Sequence, residues 1–163
     1  MEVTDETVYE KKKAFVEEVS LIFEQQGHSR ISGQILGWLH VCNPPEQSFN
    51  DLVEHLNVSK ASISNMTRLL MQAGFIEKVR MPGERQAYFK LVDHAWCKVM
   101  ERHLENMKKL RDISEKYQTE LNTEGEAEID RLNEMHDFYD FVTENFPESI
   151  ESYKKSCRSG GNN

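Results

Sequence analysis

The chain has 163 residues, 38% of them hydrophobic, which is enough for one compact domain with an appended helical element. Its 20 Lys and Arg against 28 Asp and Glu give a net charge of −8, which excludes a protein coated uniformly in basic residues. The three cysteines are far apart and form no CxxC pair, and no apolar run reaches the length of a signal sequence or a membrane span. We therefore expect a cytoplasmic protein without a disulfide framework, a metal, a cofactor or a membrane partner.

Two helices are predicted at the N-terminus. Apolar residues between Phe15 and Phe23 recur with helical spacing, which predicts a helix from about Val8 to Gln26 that ends at Gly27. The same spacing predicts a second helix from about Arg30 to Val41, because the Pro-Pro pair that follows Asn43 cannot continue it.

From Ser48 onward the predicted elements are short and closely spaced, which is typical of a helix-turn-helix. A first helical pattern ends at Asn57, a residue that tolerates the left-handed conformation of a sharp corner. Ser59 is a good N-cap for a second helix, and Gly74 suits the position that ends it.

The second helix of this motif has one apolar face, predicted from Ile63, Met66 and Leu70 and widened by Leu69 and Ala73. The other face carries short hydrogen-bonding side chains and two cations, and the stretch from Val58 to Gly74 contains no acid. A solvated face is the alternative, but in so acidic a chain it would be expected to carry Glu or Asp. We predict that this face contacts base edges and phosphates in the major groove through Ser59, Lys60, Ser62, Ser64, Asn65, Thr67 and Arg68.

Two β-prone runs, Phe75 to Met81 and Gln86 to Leu91, flank a Pro-Gly turn and predict a β-hairpin wing. The four wing cations predicted to contact DNA are Lys78, Arg80, Arg85 and Lys90. The alternative is an exposed hairpin whose charges only prevent edge aggregation. Residues 57–90 hold six Lys and Arg against two Glu, a local charge of +4 that leaves −12 for the rest of the chain. This asymmetry favours contact with phosphate.

After Asp93 the chain is predicted to be helical for nearly its whole remaining length, with an interruption at residues 122–125. A further helix carries Ile129, Leu132, His136, Tyr139 and Phe146 before Pro147. The part before the interruption shows heptad spacing of Trp96, Met100, His103, Met107, Leu110, Ser114, Tyr117 and Leu121. Such a seam favours dimerisation, but it is equally compatible with an antiparallel hairpin inside one chain. The predicted organisation is an N-terminal helix over 1–29, a winged helix-turn-helix over 30–92, a helical dimerisation hairpin over 93–155 and a disordered tail over 156–163.

These motifs together resemble the GbsR branch of the MarR-like winged-helix regulators. The resemblance is carried by "FVEEVSLIFEQQG" and by "GQILGWLHVCNPPEQSFNDLVEHLNVSKASISNMTRLLMQAGFIEKVRMPGERQAYFKL". It implies a mainly helical fold with a small β-hairpin wing, in which the N- and C-terminal helices form a dimerisation element. It also implies a homodimer that binds double-stranded DNA at a pseudo-palindromic operator, usually as a repressor, with a small choline-like effector in some members.

Three further interpretations stay open at this point. The aromatic residues Phe15, Phe23, Trp38, Trp96, Phe138, Tyr139 and Phe141 are either core or a ligand cage. Cys97 is either a packing residue or an oxidant sensor, and with His94 and His103 it makes no convincing metal set. The alternative function is a winged-helix protein-interaction module without DNA binding; no catalytic motif predicts an enzyme.

Overall fold

The structure, a computed structural model, describes residues 5–123 and 129–159. Nine elements follow one another: α1 (Asp5–Gln25), α2 (Arg30–Val41), β1 (Gln47–Ser48), α3 (Phe49–Leu56), α4 (Lys60–Ala73), β2 (Ile76–Val79), β3 (Tyr88–Leu91), α5 (Ala95–Thr123) and α6 (Asp130–Ser159). The chain divides into two compact units, Met1–Ala95 and Trp96–Asn163. The predicted fold class, mainly helical with a small β-hairpin wing, is confirmed.

Helices α1 and α2 pack closely because two residues of α2 at their contact are glycines. A Cβ placed on Gly33 would lie 2.7 Å from the Cα of Ser20, and one on Gly37 would lie 3.1 Å from the Cα of Val16. The two glycines therefore let the helix backbones approach. Helix α2 has the predicted bounds, whereas α1 begins at Asp5, three residues before the predicted start.

The core of the first unit collects the apolar faces of the helices and the inner face of the sheet. Its buried members are Val16, Ile35, Leu36, Trp38, Leu39, Leu52, Ile63, Leu70, Ile76 and Phe89. Trp38 and Phe23 pack in or against this core, in agreement with the core interpretation of these two aromatics.

The strand β1 was not predicted from the sequence, because it is two polar residues long. It pairs antiparallel with β3 and extends the hairpin to a three-stranded sheet in the order β1-β3-β2. Gln47 is 4% exposed, and its side chain accepts a hydrogen bond from the Trp38 indole at 2.8 Å and donates one to the Pro44 carbonyl at 2.8 Å. A buried polar side chain thus has its partners satisfied, and it fixes the sheet edge to α2.

In the second unit, α5 and α6 run antiparallel within one chain. Polar pairs join them at Arg111 with Thr143 (Nη1 to Oγ1, 3.2 Å), Ser114 with His136 (3.3 Å) and Gln118 with Asn133 (2.8 Å). Nearer the start of α5 and the end of α6, a small apolar cluster is formed by Cys97, Leu104 and Ile150. The hairpin arrangement that the sequence left open is therefore present within the chain.

One prediction about the C-terminal helix is wrong. Helix α6 passes through Pro147 and continues to Ser159, so it does not give way to a disordered tail at Ser156. The proline removes one backbone donor, but the contacts of Ile150 and Lys154 with α5 hold the helix beyond it. Residues 124–128 and 160–163, which include part of the predicted interruption and of the predicted tail, lie outside the described residues.

The heptad seam of α5 is mostly exposed. Only Ser114 is fully buried, while Trp96, Met100, Leu110 and Tyr117 are each more than a third exposed. The intramolecular contact therefore buries Ser114 but leaves most of the predicted seam exposed.

We expect Gly33→Ala to lower the free energy of unfolding by about 1–3 kcal/mol, because the new methyl meets backbone that cannot turn aside. This net loss is expected even though alanine stabilises a helix by roughly 1 kcal/mol relative to glycine. Urea denaturation of the variant measures it, with Gln34→Ala on the same helix as a control that adds no atoms. A Gly33→Ala protein as stable as the parent would show that the helices can separate without cost.

Candidate nucleic-acid interface

The corner between α3 and α4 is built by Asn57, Val58 and Ser59. Asn57 adopts the left-handed conformation (φ 51°, ψ 46°), and its N–H donates to the Glu54 carbonyl at 3.3 Å. Val58 packs against the core, and Ser59 is extended, with its hydroxyl accepting from the Ser62 N–H at 3.2 Å. The predicted roles of Asn57 and Ser59 are confirmed, and the corner orients α4 rigidly relative to α3.

The buried face of α4 includes one residue that was predicted to face DNA. Thr67 is 2% exposed, and its hydroxyl donates to the Ile63 carbonyl at 2.8 Å. It lies four residues after the fully buried Ile63, so helical spacing places both on the same face. Leu69, which was predicted to widen this buried face, is instead 43% exposed.

The exposed face of α4, called the reading face here, presents Lys60, Ala61, Ser64, Asn65, Arg68 and Gln72. It contains no acidic residue. Ser62, also predicted as a contact, is half-buried, and its hydroxyl lies 2.9 Å from that of Ser59, so these two side chains engage each other at the start of the helix. Gln72 was missed by the sequence argument, although it lies one turn beyond Arg68 on the same face.

Two residues of the reading face are bonded to each other. The Arg68 guanidinium (Nη2) donates to the Asn65 side-chain oxygen at 2.8 Å. An asparagine that binds adenine bidentately uses both its oxygen and its amide group, so this bond would have to open on binding. The hydrogen bond couples Asn65 to Arg68, and we expect their substitutions to be non-additive.

The cations of the wing differ in exposure and in ion pairing. Lys90 lies opposite Glu77 in the strand register and forms an ion pair with it at 3.3 Å, so its charge is partly neutralised at the base of the hairpin. Lys78, Arg80 and Arg85 are exposed. Within the described part of the chain, neither Arg80 nor Arg85 forms an ion pair, so no carboxylate there neutralises either charge near the tip.

The wing is held to the helix-turn-helix by backbone and side-chain bonds. The Phe49 N–H donates to the Ala87 carbonyl at 3.0 Å, and the Asn50 amide donates to the Gln86 side-chain oxygen at 3.2 Å. Gly74 ends α4 in the left-handed conformation (φ 81°), and β2 begins two residues later. The reading face and the wing tip are thus fixed relative to each other within the first unit.

Comparisons with known proteins agree with this geometry. Residues 32–87 match the model of the MarR family, and residues 94–156 match the model described as an MmpR5-like MarR family transcriptional regulator. The chain is 31% identical over 141 residues to the HTH-type transcriptional regulator MmpR5 of Mycobacterium tuberculosis, covering 86% of each chain. The chain belongs to the MarR family. The predicted winged-helix transcriptional regulator is thereby confirmed.

Two further relatives extend the comparison. The putative HTH-type transcriptional regulator YvaV of Bacillus subtilis is 25% identical, over 86% of this chain and 89% of the relative. A crystal structure of a transcriptional regulator superposes with a TM-score of 0.74 and 31% identity, over 89% of this chain and 99% of that one. As a MarR-family protein, this chain shares the fold of that structure over nearly its full length.

Other functional features were sought over the same residues. Among residues 5–123 and 129–159 there is no group of three or more His, Cys, Asp or Glu that could hold a metal ion. No helix of that part of the chain has both the length and the apolar character needed to cross a bilayer.

We expect Asn57→Val to lower the free energy of unfolding by about 1–2 kcal/mol, because a β-branched residue resists the left-handed conformation. Asn57→Gly serves as the matched control and should retain most of the stability, since glycine adopts a positive φ without strain. Chemical denaturation followed by circular dichroism compares the two. Equal stability of the valine and glycine variants would contradict a corner that depends on this backbone conformation.

Proposed function

We propose that the protein binds double-stranded DNA as a homodimer, with the reading face of α4 in the major groove and the wing on the adjacent backbone. The observation that carries the proposal is the acid-free reading face in a chain of net charge −8. The proposed contacts are Ser59, Lys60, Ser62, Ser64, Asn65 and Arg68 on the helix and Lys78, Arg80, Arg85 and Lys90 on the wing. Thr67 is no longer among them.

The proposed division of labour follows from side-chain chemistry. Asn65 and Arg68 can form paired hydrogen bonds to base edges, and short neighbours such as Ala61 and Ser64 allow the helix to approach them. Arg80 and Arg85 are suited to phosphate or to a narrow minor groove. The helix would therefore supply sequence preference, and the wing would mainly supply affinity.

The homodimer is supported by apolar surface that the chain does not cover. Nine large apolar side chains of α5 and α6 are more than a third exposed: Trp96, Met100, Leu110, Ile113, Tyr117, Phe138, Phe141, Phe146 and Tyr153. On α1, Val8, Phe15 and Ile22 are also exposed and recur every seven residues. So many exposed large apolar side chains are typical of an interaction surface, and a second copy of the chain would bury them.

A dimer also explains how the protein would select a site. Two reading helices placed roughly 34 Å apart, or at a multiple of that distance, would address two half-sites of a pseudo-palindrome. The resemblance to MarR-like regulators predicts that the bound dimer acts as a repressor. The role requires the compartment that holds the DNA, in agreement with the cytoplasmic location expected from the sequence.

The finer resemblance to the GbsR branch stays a prediction, and so does a choline-like effector. The matched model over residues 94–156 is described as MmpR5-like instead.

DNA binding is tested with variants of matched chemistry. Selection from a random DNA pool should yield a palindrome, and affinity for it should fall by about 10³–10⁵ between 50 and 200 mM salt if the dimer makes about six to ten phosphate contacts. Asn65→Ala and Arg68→Ala should relax sequence preference, whereas Arg85→Ala should weaken binding to all sequences and flatten the salt dependence. Arg131→Ala on α6 is the control for loss of an arginine outside the first unit.

Two results would count against the DNA-binding proposal. Absence of duplex binding at low salt would favour the protein-interaction alternative. An Arg131→Ala defect as large as that of Arg85→Ala would show that overall charge, rather than the wing, controls affinity.

We expect Phe141→Asp to convert the dimer to a monomer, because Phe141 is 67% exposed in the single chain and a carboxylate cannot be buried there without a partner. Sedimentation equilibrium measures the change in mass. Glu144→Lys, a charge change at an exposed polar position one turn away, should leave the dimer intact. A dimer that tolerates Phe141→Asp would require a different interface.

A further inference from the structure

Two of the three free cysteines lie on the facing helices of the second unit, at its end nearest in sequence to the DNA-binding part. Cys97 is on the first turn of α5 and is 8% exposed, and Cys157 is near the end of α6 and is half-buried. The DNA-binding role does not use either thiol.

The register of the helix pair places the two cysteines opposite each other. Contacts between α5 and α6 join residues whose numbers have a nearly constant sum, as antiparallel helices require: Arg111 with Thr143, Leu104 with Ile150, and Glu101 with Lys154. Continuing this register by one heptad from Leu104 and Ile150 reaches Cys97 and Cys157. Seven residues are two helical turns, so the new layer has the same orientation as the one before it.

The spacing of packed helices suits a disulfide at such a layer. Helix axes that pack at about 8–10 Å, each with Cα atoms about 2.3 Å from the axis, leave roughly 3.4–5.4 Å between directly facing Cα atoms. Disulfides span Cα separations of about 4.4–6.8 Å.

A tyrosine lies beside the Cys157 thiol. The pKa of Tyr153 is raised mainly by its hydrogen bond with Cys157, and the interaction with Cys97 makes the smallest contribution. The phenol therefore keeps its proton, and the Cys157 sulfur lies within hydrogen-bonding distance of its hydroxyl group.

An open cavity gives a small oxidant access to the more buried thiol. It has a volume of about 230 Å³, and its walls include Cys97, Tyr153, Trp96 and Met100. Burial raises the pKa of the third thiol, Cys42, to about 11, and a protonated thiol is a poor nucleophile.

We propose that Cys97 and Cys157 form a reversible intramolecular disulfide when the protein meets a hydroperoxide. The sulfur of the more exposed Cys157 attacks a peroxide oxygen, the O–O bond breaks, and water leaves with the thiol proton when the oxidant is hydrogen peroxide. The sulfur of Cys97 then attacks the resulting sulfenic acid, the S–O bond breaks, and a second water leaves with the Cys97 proton. The two thiols lose two electrons in total, and the peroxide gains them.

The product would close a loop of about 60 residues and clamp the open end of the hairpin. Oxidation would thereby tie α5 to α6 six residues after the last strand of the wing ends.

The test uses the full-length Cys42→Ser protein, which retains only the proposed pair, treated with a small excess of hydrogen peroxide. After free thiols are blocked, peptide mapping should find most chains with Cys97 joined to Cys157, and dithiothreitol should restore both thiols. Cys97→Ser and Cys157→Ser in the same background should each abolish the linked peptide, and the unsubstituted protein should leave Cys42 reduced.

Three outcomes would overturn the proposal. These are thiols that stay free or stop at sulfenic or sulfinic acid, a disulfide that joins two chains, and a linked peptide that contains Cys42. Because the readout is covalent, it is independent of whether the protein binds DNA.

Discussion

The first unit depends on the side chain of Gln47 and on its neighbour Ser48. Gln47 is bonded to the Trp38 indole of α2, while its backbone pairs β1 with β3. Ser48 caps α3 by accepting from the Asp51 N–H at 3.0 Å, and its own N–H donates to the Asp51 carboxylate at 2.8 Å. Two adjacent residues therefore fix a supporting helix, the wing and the first helix of the helix-turn-helix. The orientation of the reading face relative to the wing follows from this junction.

The second constraint is electrostatic. A protein with a charge of −8 would repel a polyanion unless its cations were gathered on one segment, and the segment from Asn57 to Lys90 carries +4. The Glu77–Lys90 pair removes one cation at the base of the wing and leaves the exposed arginines near its tip. The remaining acidic surface would disfavour any other orientation on DNA, so the charge distribution contributes to docking geometry as well as to affinity.

Much of this architecture could be predicted from the sequence because local chemistry determined it. Asn57, Ser59 and Gly74 adopt the backbone conformations that their residue types favour, and the bounds of α2 agree with its apolar period and the prolines after it. Strand β1 was missed since its pairing with β3 is non-local and two polar residues have no periodicity. Thr67 was misplaced because a polar residue was assumed to face solvent, whereas its hydroxyl is satisfied by a backbone carbonyl of its own helix.

The C-terminal helix shows a different limit of sequence reasoning. Pro147 is a strong local signal for a helix end, and tertiary contacts on both sides of it override that signal. Whether the heptad seam of α5 pairs within or between chains was also ambiguous, because its spacing suits both arrangements. Within the chain, Arg111, Ser114 and Gln118 each find a polar partner on α6.

Pro147 also creates a point in α6 at which the backbone hydrogen bonding of the helix is interrupted. A proline has no N–H to donate to the carbonyl four residues earlier, which belongs to Thr143, so the backbone ladder of α6 is interrupted at the level of Arg111. Along α6, the residues of the polar pairs lie at or before this interruption, whereas Ile150 of the apolar cluster and Cys157 lie after it. The missing hydrogen bond makes this the point at which α6 bends with least cost. A force applied at the C-terminal end of α6 would bend the helix there before it disturbed the polar pairs.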